Sequence, residues 1–278
     1  MIKYITFFLL IFNFLISAQV KSHLSYADNL FTQKEYYRAI SEYKYHLFFN
    51  AKSFSDSIYC SMQIARCNYL GEEYSLAISN INDILSFTGL TDSIRKDLYN
   101  ICGLSYLKLN QPKVALLYFE RQWGTPSSLF FSGIAYMKLY DWTKARHKFF
   151  QLKNSEDLIL RSSSSDLVTT TLAGEKLPEK NPIVAGILSA VIPGAGYLYT
   201  GHFQTAFTSL VFNAFLLGAS YELNKKGLKL TGGLTFLFSL GWYIGNIYGS
   251  VNSVHRDNEA TKNNFINNAI NEYEFLLK

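Results

Sequence analysis

The residues able to carry chemistry are few and scattered. Five histidines (His23, His46, His147, His202, His255) and three cysteines (Cys60, Cys67, Cys102) are spread over 278 residues. They lack the close, repeated spacing of a zinc or iron–sulfur site. No Gly-rich phosphate loop, GxSxG elbow, HExxH pair or spaced carboxylate pair occurs. The densest charged cluster, His255-Arg256-Asp257, follows an apolar stretch, which suits anchoring at an interface better than catalysis. Cys60 and Cys67 lie seven residues apart on one expected helix, which sets their Cα atoms about 10 Å apart, beyond disulfide reach. An odd count argues against a disulfide framework; buried free thiols are expected, with Cys67–Cys102 the one pairing left open. The chemistry-bearing residues thus predict no enzyme, no cofactor and no metal site.

The elements that carry these residues divide the chain sharply. Charged residues make up 17% of the whole, below the usual quarter, and the deficit is local: 183–221 and 231–250 hold no Lys, Arg or Asp. The net charge of +5 is spread along the chain without a basic stripe, so nucleic acid is not an expected partner. Residues 1–18 read as a signal peptide. Lys3 precedes an apolar core from Tyr4 to Ile16, and Ser17-Ala18 supplies small residues at a cleavage site. An uncleaved anchor is the alternative. In either case residue 19 onward starts outside the cytoplasm.

Residues 19–160 carry an internal repeat. Ala39, Ala77, Ala115 and Ala145 are spaced by 38, 38 and 30 residues. Twelve positions before each stands a small residue (Ala27, Ala65, Gly103, Gly133), and four after each a large one (Tyr43, Ile81, Phe119, Phe149). Three positions before come Tyr36, Tyr74, Pro112 and Trp142. Small residues at fixed places let paired helices approach while a bulky neighbour fills the gap, which predicts an all-α fold of stacked helix–turn–helix units.

In these residues the chain resembles the tetratricopeptide repeat family. The best copies are Gly103-Leu104-Ser105-Tyr106 with Ala115 and Phe119, and Gly133-Ile134-Ala135-Tyr136 with Ala145 and Phe149. The spacing departs from the family's 34 residues, and its early Trp and closing Pro are mostly missing. The resemblance implies a curved solenoid whose concave face binds a partner protein.

Residues 161–181, rich in Ser, Thr and Pro, are expected to be a linker. A membrane module is expected over 182–250, in three apolar segments: 183–199, 205–221 and 231–250. By length the third is the comfortable span and the other two are marginal. Pro193-Gly194 breaks the first after about 16 Å of helix, half a bilayer core. The Glu222–Lys229 loop, with Lys225, Lys226 and Lys229, obeys the positive-inside bias if the first segment is a half-inserted hairpin and two segments span; three spans remain the alternative. Pro193, Gly194, Gly196, Tyr197, Tyr199 and Gly201 resemble the Pro-Gly-x-Gly-(Gln)-x-Tyr-x-Gly signature of small bacterial two-transmembrane modules, with Tyr197 where Gln is common. The likeness implies a membrane location and a tight turn. Gly241, Gly245 and Gly249 form a ladder suited to helix packing within the chain or against another copy or subunit. Asn213 and Asn246 are expected to hydrogen-bond between helices. Residues 251–278 read as a polar C-terminal helix or tail.

Together these features predict a scaffold at the bacterial inner membrane, its repeats in the periplasm, binding protein partners and the lipid bilayer. The alternative is a subunit of an envelope transport or assembly complex.

Overall fold

The computed structural model describes residues 23–51, 53–122 and 124–273; the expected signal peptide lies outside them. The described chain is all-helical. It divides into two compact units, one reaching to Leu172 and taking in the chain from Ile270, the other Ala173–Ala269.

The first unit alternates helices and tight turns: α1 (23–32), α2 (Tyr36–Phe49), α3 (Phe54–Leu70), α4 (Tyr74–Leu85), α5 (Asp92–Lys108), α6 (Pro112–Phe119), α7 (Pro126–Lys138), α8 (Trp142–Gln151) and α9 (Leu158–Glu175). Side chains cap the starts of α3, α5, α7 and α8. Ser53, Thr91, Thr125 and Asp141 each accept from the backbone N–H three residues on, satisfying a donor the helix leaves free.

The turns inside the four pairs α1–α2, α3–α4, α5–α6 and α7–α8 are one motif made four times. Lys34, Glu72, Asn110 and Tyr140 are left-handed, with φ of 63°, 66°, 57° and 59°. The next residue in each case donates its N–H five residues back: Glu35 to Leu30, Glu73 to Asn68, Gln111 to Tyr106 and Asp141 to Tyr136, at 2.8–3.0 Å. This is a Schellman ending. It falls five residues before Ala39, Ala77, Ala115 and Ala145, so backbone geometry keeps the same register as the sequence repeat. All four alanines are fully buried.

The small residues twelve positions earlier have a visible reason. A Cβ on Gly103 would fall on the ring of Phe119, and one on Gly133 on the ring of Phe149. Where the bulky position holds Tyr43 or Ile81, the partner is Ala27 or Ala65. Ala27, Tyr43, Cys60, Ile64 and Cys67 share one core cluster; Ala65, Ile81, Leu98 and Cys102 share the next. The three cysteines are free and buried.

Two expectations change here. The 161–181 stretch is not a linker throughout, because α9 is helical to Glu175. Asp157 caps it, accepting from the N–H groups of Ile159 and Leu160. The hydroxyls of Ser163, Thr169 and Thr171 turn back onto carbonyls three or four residues earlier, so they do not unravel the helix. Ser164, fully buried, donates to the Phe149 carbonyl at 2.7 Å, as Ser128 of α7 does to the Phe119 carbonyl. Thus α9 meets α8 as α7 meets α6. Residues 251–271, expected to begin a polar helix or tail of their own, are helical and continuous with the segment before them. One 43-residue helix runs Lys229–Asn271, because no Gly or Pro interrupts it beyond Gly249.

The second unit holds α10 (Pro182–Val191), α11 (Ala195–Thr200), α12 (Phe203–Lys225) and most of α13 (Lys229–Asn271). Asn181 caps α10 by accepting from the Ile183 N–H, and Pro182 opens it, both ordinary helix starts.

Candidate functional site

The Pro193–Gly201 turn is held by contacts only glycine allows. Gly194 has φ 89°, and a Cβ there would strike the Ala206 carbonyl of α12. A Cβ on Gly196 would strike the Ala185 carbonyl, with the Ser189 and Ser250 hydroxyls close behind. The Gly196 N–H donates to Ser189 Oγ at 3.0 Å, folding α11 back along α10. Gly201, also at φ 89°, ends α11. Tyr197 places its hydroxyl over Gly249 of α13. Tyr199 accepts from the Asn181 N–H at 3.1 Å.

Polar groups clamp this turn to α13. Lys180 Nζ donates to the Thr200 carbonyl (3.0 Å) and to Asp257 Oδ2 (3.2 Å). His202 Nε2 lies 3.2 Å from Asp257 Oδ1. Asn258 makes two bonds with the Lys180 backbone, and Ser253 donates to Thr200 Oγ1 at 3.2 Å. Asp257 therefore ties Lys180 to His202, a role its place in His255-Arg256-Asp257 does not announce.

Deeper in the unit, the packing is reversed from that of a water-soluble core. The buried face of α12 is Ala206, Ser209, Asn213, Leu216 and Ser220, spaced alternately by three and four as in a two-helix seam. On α13, Ser239, Asn246, Ser250 and Ser253 are buried. Ser209 Oγ donates to Asn246 Oδ1 at 2.8 Å and Ser220 Oγ to the Gly232 carbonyl at 2.9 Å. Asn246 thus bonds between helices, whereas Asn213 Nδ2 bonds within its own, to the Ser209 carbonyl. Leu216 apart, most large apolar side chains of α12 and the first half of α13 face outward: Phe207 is 70% exposed, Phe215 67%, Leu230 80% and Leu237 65%. On α10, Ile183, Ile187 and Val191 are likewise exposed while Ala185 and Ser189 are buried.

Among the described residues, one helix is long and apolar enough to cross a bilayer by length and composition. It is α12, with mean hydropathy 1.2 over its best 18-residue window. This corrects the expected ranking, in which 231–250 was the comfortable span. Glycines, Trp242, Tyr243, Asn246 and Tyr248 dilute that stretch even though its length suffices.

The glycine ladder also divides. Gly249 is packed under Tyr197, but nothing lies within 4 Å of a Cβ built on Gly241 or Gly245. Those two open onto a groove of about 910 Å³, whose walls include Tyr197, Gln204, Thr205, Thr208, Leu237 and Trp242.

In the repeat unit, Asp28 Oδ1 accepts from the hydroxyls of both Tyr43 (2.7 Å) and Tyr59 (2.8 Å). Burial, followed by the Asp28 carboxylate, pushes the Tyr43 phenol well up from its ordinary range. The structure also joins three residues that sequence spacing left apart. His46, Asp56 and Cys60 bring one ligand-type atom each to within 4.8 Å of one another. Their separations of ten and four acquire meaning only once the α2–α3 turn doubles the chain back.

No protein-family model matches the chain, and no curated protein matches it.

Proposed function

We propose that this protein is a membrane-anchored scaffold of the bacterial envelope, its tetratricopeptide-like repeats recruiting a partner protein and its second unit seated in the bilayer. The observation that carries this reading is the reversed packing of the second unit. Serine and asparagine line its helix seams, and phenylalanine and leucine face out. In water that surface is an aggregation hazard, whereas in lipid the same arrangement lets small residues bring helices together while polar groups bond between them. The ten residues of α10 rise about 15 Å, half a bilayer core, before α11 turns back. That geometry supports a half-inserted hairpin beside two spans, with the loop carrying Lys225, Lys226 and Lys229 in the cytoplasm. The apolar leader expected over 1–18 supports a periplasmic repeat unit.

Photo-crosslinkers placed in cells at repeat-unit surface positions such as Tyr37 and Leu117 test the recruiting role. Capture of a defined envelope protein is expected; capture of nothing above the level of an unrelated exported protein refutes it.

A second reading, a subunit of an envelope transport or assembly complex, is favoured by the groove at Gly241 and Gly245. Uncovered glycines beside Gln204 and Thr208 suit close approach by a helix of another membrane subunit. Co-purification of a stoichiometric integral-membrane protein in mild detergent selects this reading over the first.

A further inference from the structure

The sequence offers no metal-ligand spacing, yet the fold assembles one donor set. His46 stands in the last turn of α2, and Asp56 and Cys60 stand one turn apart on α3. We propose that His46, Asp56 and Cys60 form a site for one divalent first-row transition-metal ion of the zinc type, joining the first and second helix pairs.

Two observations support this. First, the geometry is close to what a tetrahedral ion needs. His46 Nε2 lies 3.1 Å from Asp56 Oδ2, and metal–ligand bonds near 2.0–2.1 Å give a nitrogen–oxygen edge of about 3.3 Å. With all three donors already within 4.8 Å, a contraction of about 1 Å completes the set. Second, the donors sit at the edge of the core. His46 is 2% exposed and Cys60 fully buried, while the Asp56 side chain keeps 26% of its surface and so gives an ion a way in.

The simpler account makes His46–Asp56 a tie between two helices and Cys60 ordinary packing. That account does not explain why the thiol stands beside the pair, with all three donors within 4.8 Å of one another. One nitrogen, one oxygen and one sulfur donor together favour zinc-like ions over magnesium or calcium, because thiolate is a soft ligand. Cys60 is a free, buried thiol. Binding replaces the S–H bond with a metal–sulfur bond and releases that proton to solvent. Three protein ligands leave a fourth position for water or for a donor from elsewhere.

The test uses the full-length protein in detergent, stripped with a chelator and titrated with Co²⁺. One equivalent is expected to bind, with a thiolate-to-cobalt charge-transfer band that Zn²⁺ abolishes. Cys60→Ala should lose the band, and Cys67→Ala, two helical turns further along α3, should keep it. His46→Ala should weaken binding by about 100-fold or more, since even outer-shell losses cost 10–100-fold. Absence of the band in the unaltered protein overturns the proposal, as does its survival in Cys60→Ala or unchanged affinity in His46→Ala. Should a variant lose its helical circular dichroism, X-ray absorption of the zinc-loaded unaltered protein decides. One sulfur among nitrogen and oxygen neighbours supports the site; a shell without sulfur rejects it.

Discussion

Gly103→Ala tests the repeat packing at its tightest point. A Cβ on Gly103 would lie 2.7 Å from Phe119 Cζ and 2.8 Å from its Cδ1, against an ordinary carbon–carbon contact of about 3.5–4.0 Å. The ring must retreat by about 1 Å, and Phe119 is fully buried. An unhindered helical glycine gains about 0.8–1.0 kcal/mol on becoming alanine. Overpacking a core costs about 1–3 kcal/mol. The steric cost should win, leaving a net loss of up to about 2 kcal/mol. The second helix pair suggests the remedy, since Ala65 there faces Ile81. Phe119→Ile alone should cost about 1–2 kcal/mol through the cavity it leaves, but Gly103→Ala/Phe119→Ile should be no worse than Phe119→Ile by itself. The favourable coupling is the steric cost that isoleucine relieves, about 1–3 kcal/mol, above the scatter seen between independent sites. Urea unfolding of residues 19–172, followed by far-ultraviolet circular dichroism, reads all four corners of the cycle. A stabilising Gly103→Ala, or a double variant whose loss is the sum of the singles, would refute the reasoning.

Three further outcomes follow from the same contacts. Glu72→Gly should stabilise the repeat unit by about 0.5–1 kcal/mol, seen as a raised urea midpoint, because the left-handed backbone at φ 66° costs a non-glycine residue about 1–2 kcal/mol and glycine's extra chain entropy returns part of that. Burial pushes the Cys102 thiol from 9.0 up to about 11. The unfolded chain therefore loses this proton first, and the stabilising contribution is complete below pH 9 and declines above it. The slope is about 1.4 kcal/mol per pH unit up to pH 11, and Cys102→Ala should remove that share of it. A cysteine at Gly227 should resist an impermeant thiol reagent in intact spheroplasts; ready labelling would favour three spans over a hairpin with two.

The repeat was legible because steric matching leaves a mark in residue size. Ala39, Ala77, Ala115 and Ala145 are fully buried, and Gly103 and Gly133 face Phe119 and Phe149 at the expected offsets. The turns were hidden, since Lys34, Glu72, Asn110 and Tyr140 occupy a conformation usually signalled by glycine. Residues 161–175 misled because serine and threonine often break helices, yet here their hydroxyls bond backward along α9 and Asp157 caps it. Apolar length alone misranked the third segment, whose tyrosines, glycines and Asn246 dilute it. Glycine spacing alone could not show that Gly249 lies under Tyr197 while Gly241 and Gly245 face open space. The His46–Asp56–Cys60 cluster was invisible for a different reason: its proximity is made by the α2–α3 reversal, not by local spacing.

The most direct test of the account is the partitioning of the full-length chain under alkaline carbonate, beside residues 1–172 expressed with the leader. A reversed-packed second unit predicts that the full chain stays with the membrane pellet and floats with lipid, whereas the shorter chain is released in soluble, helical form. Full-length protein recovered in the aqueous fraction, monomeric and folded, would contradict it.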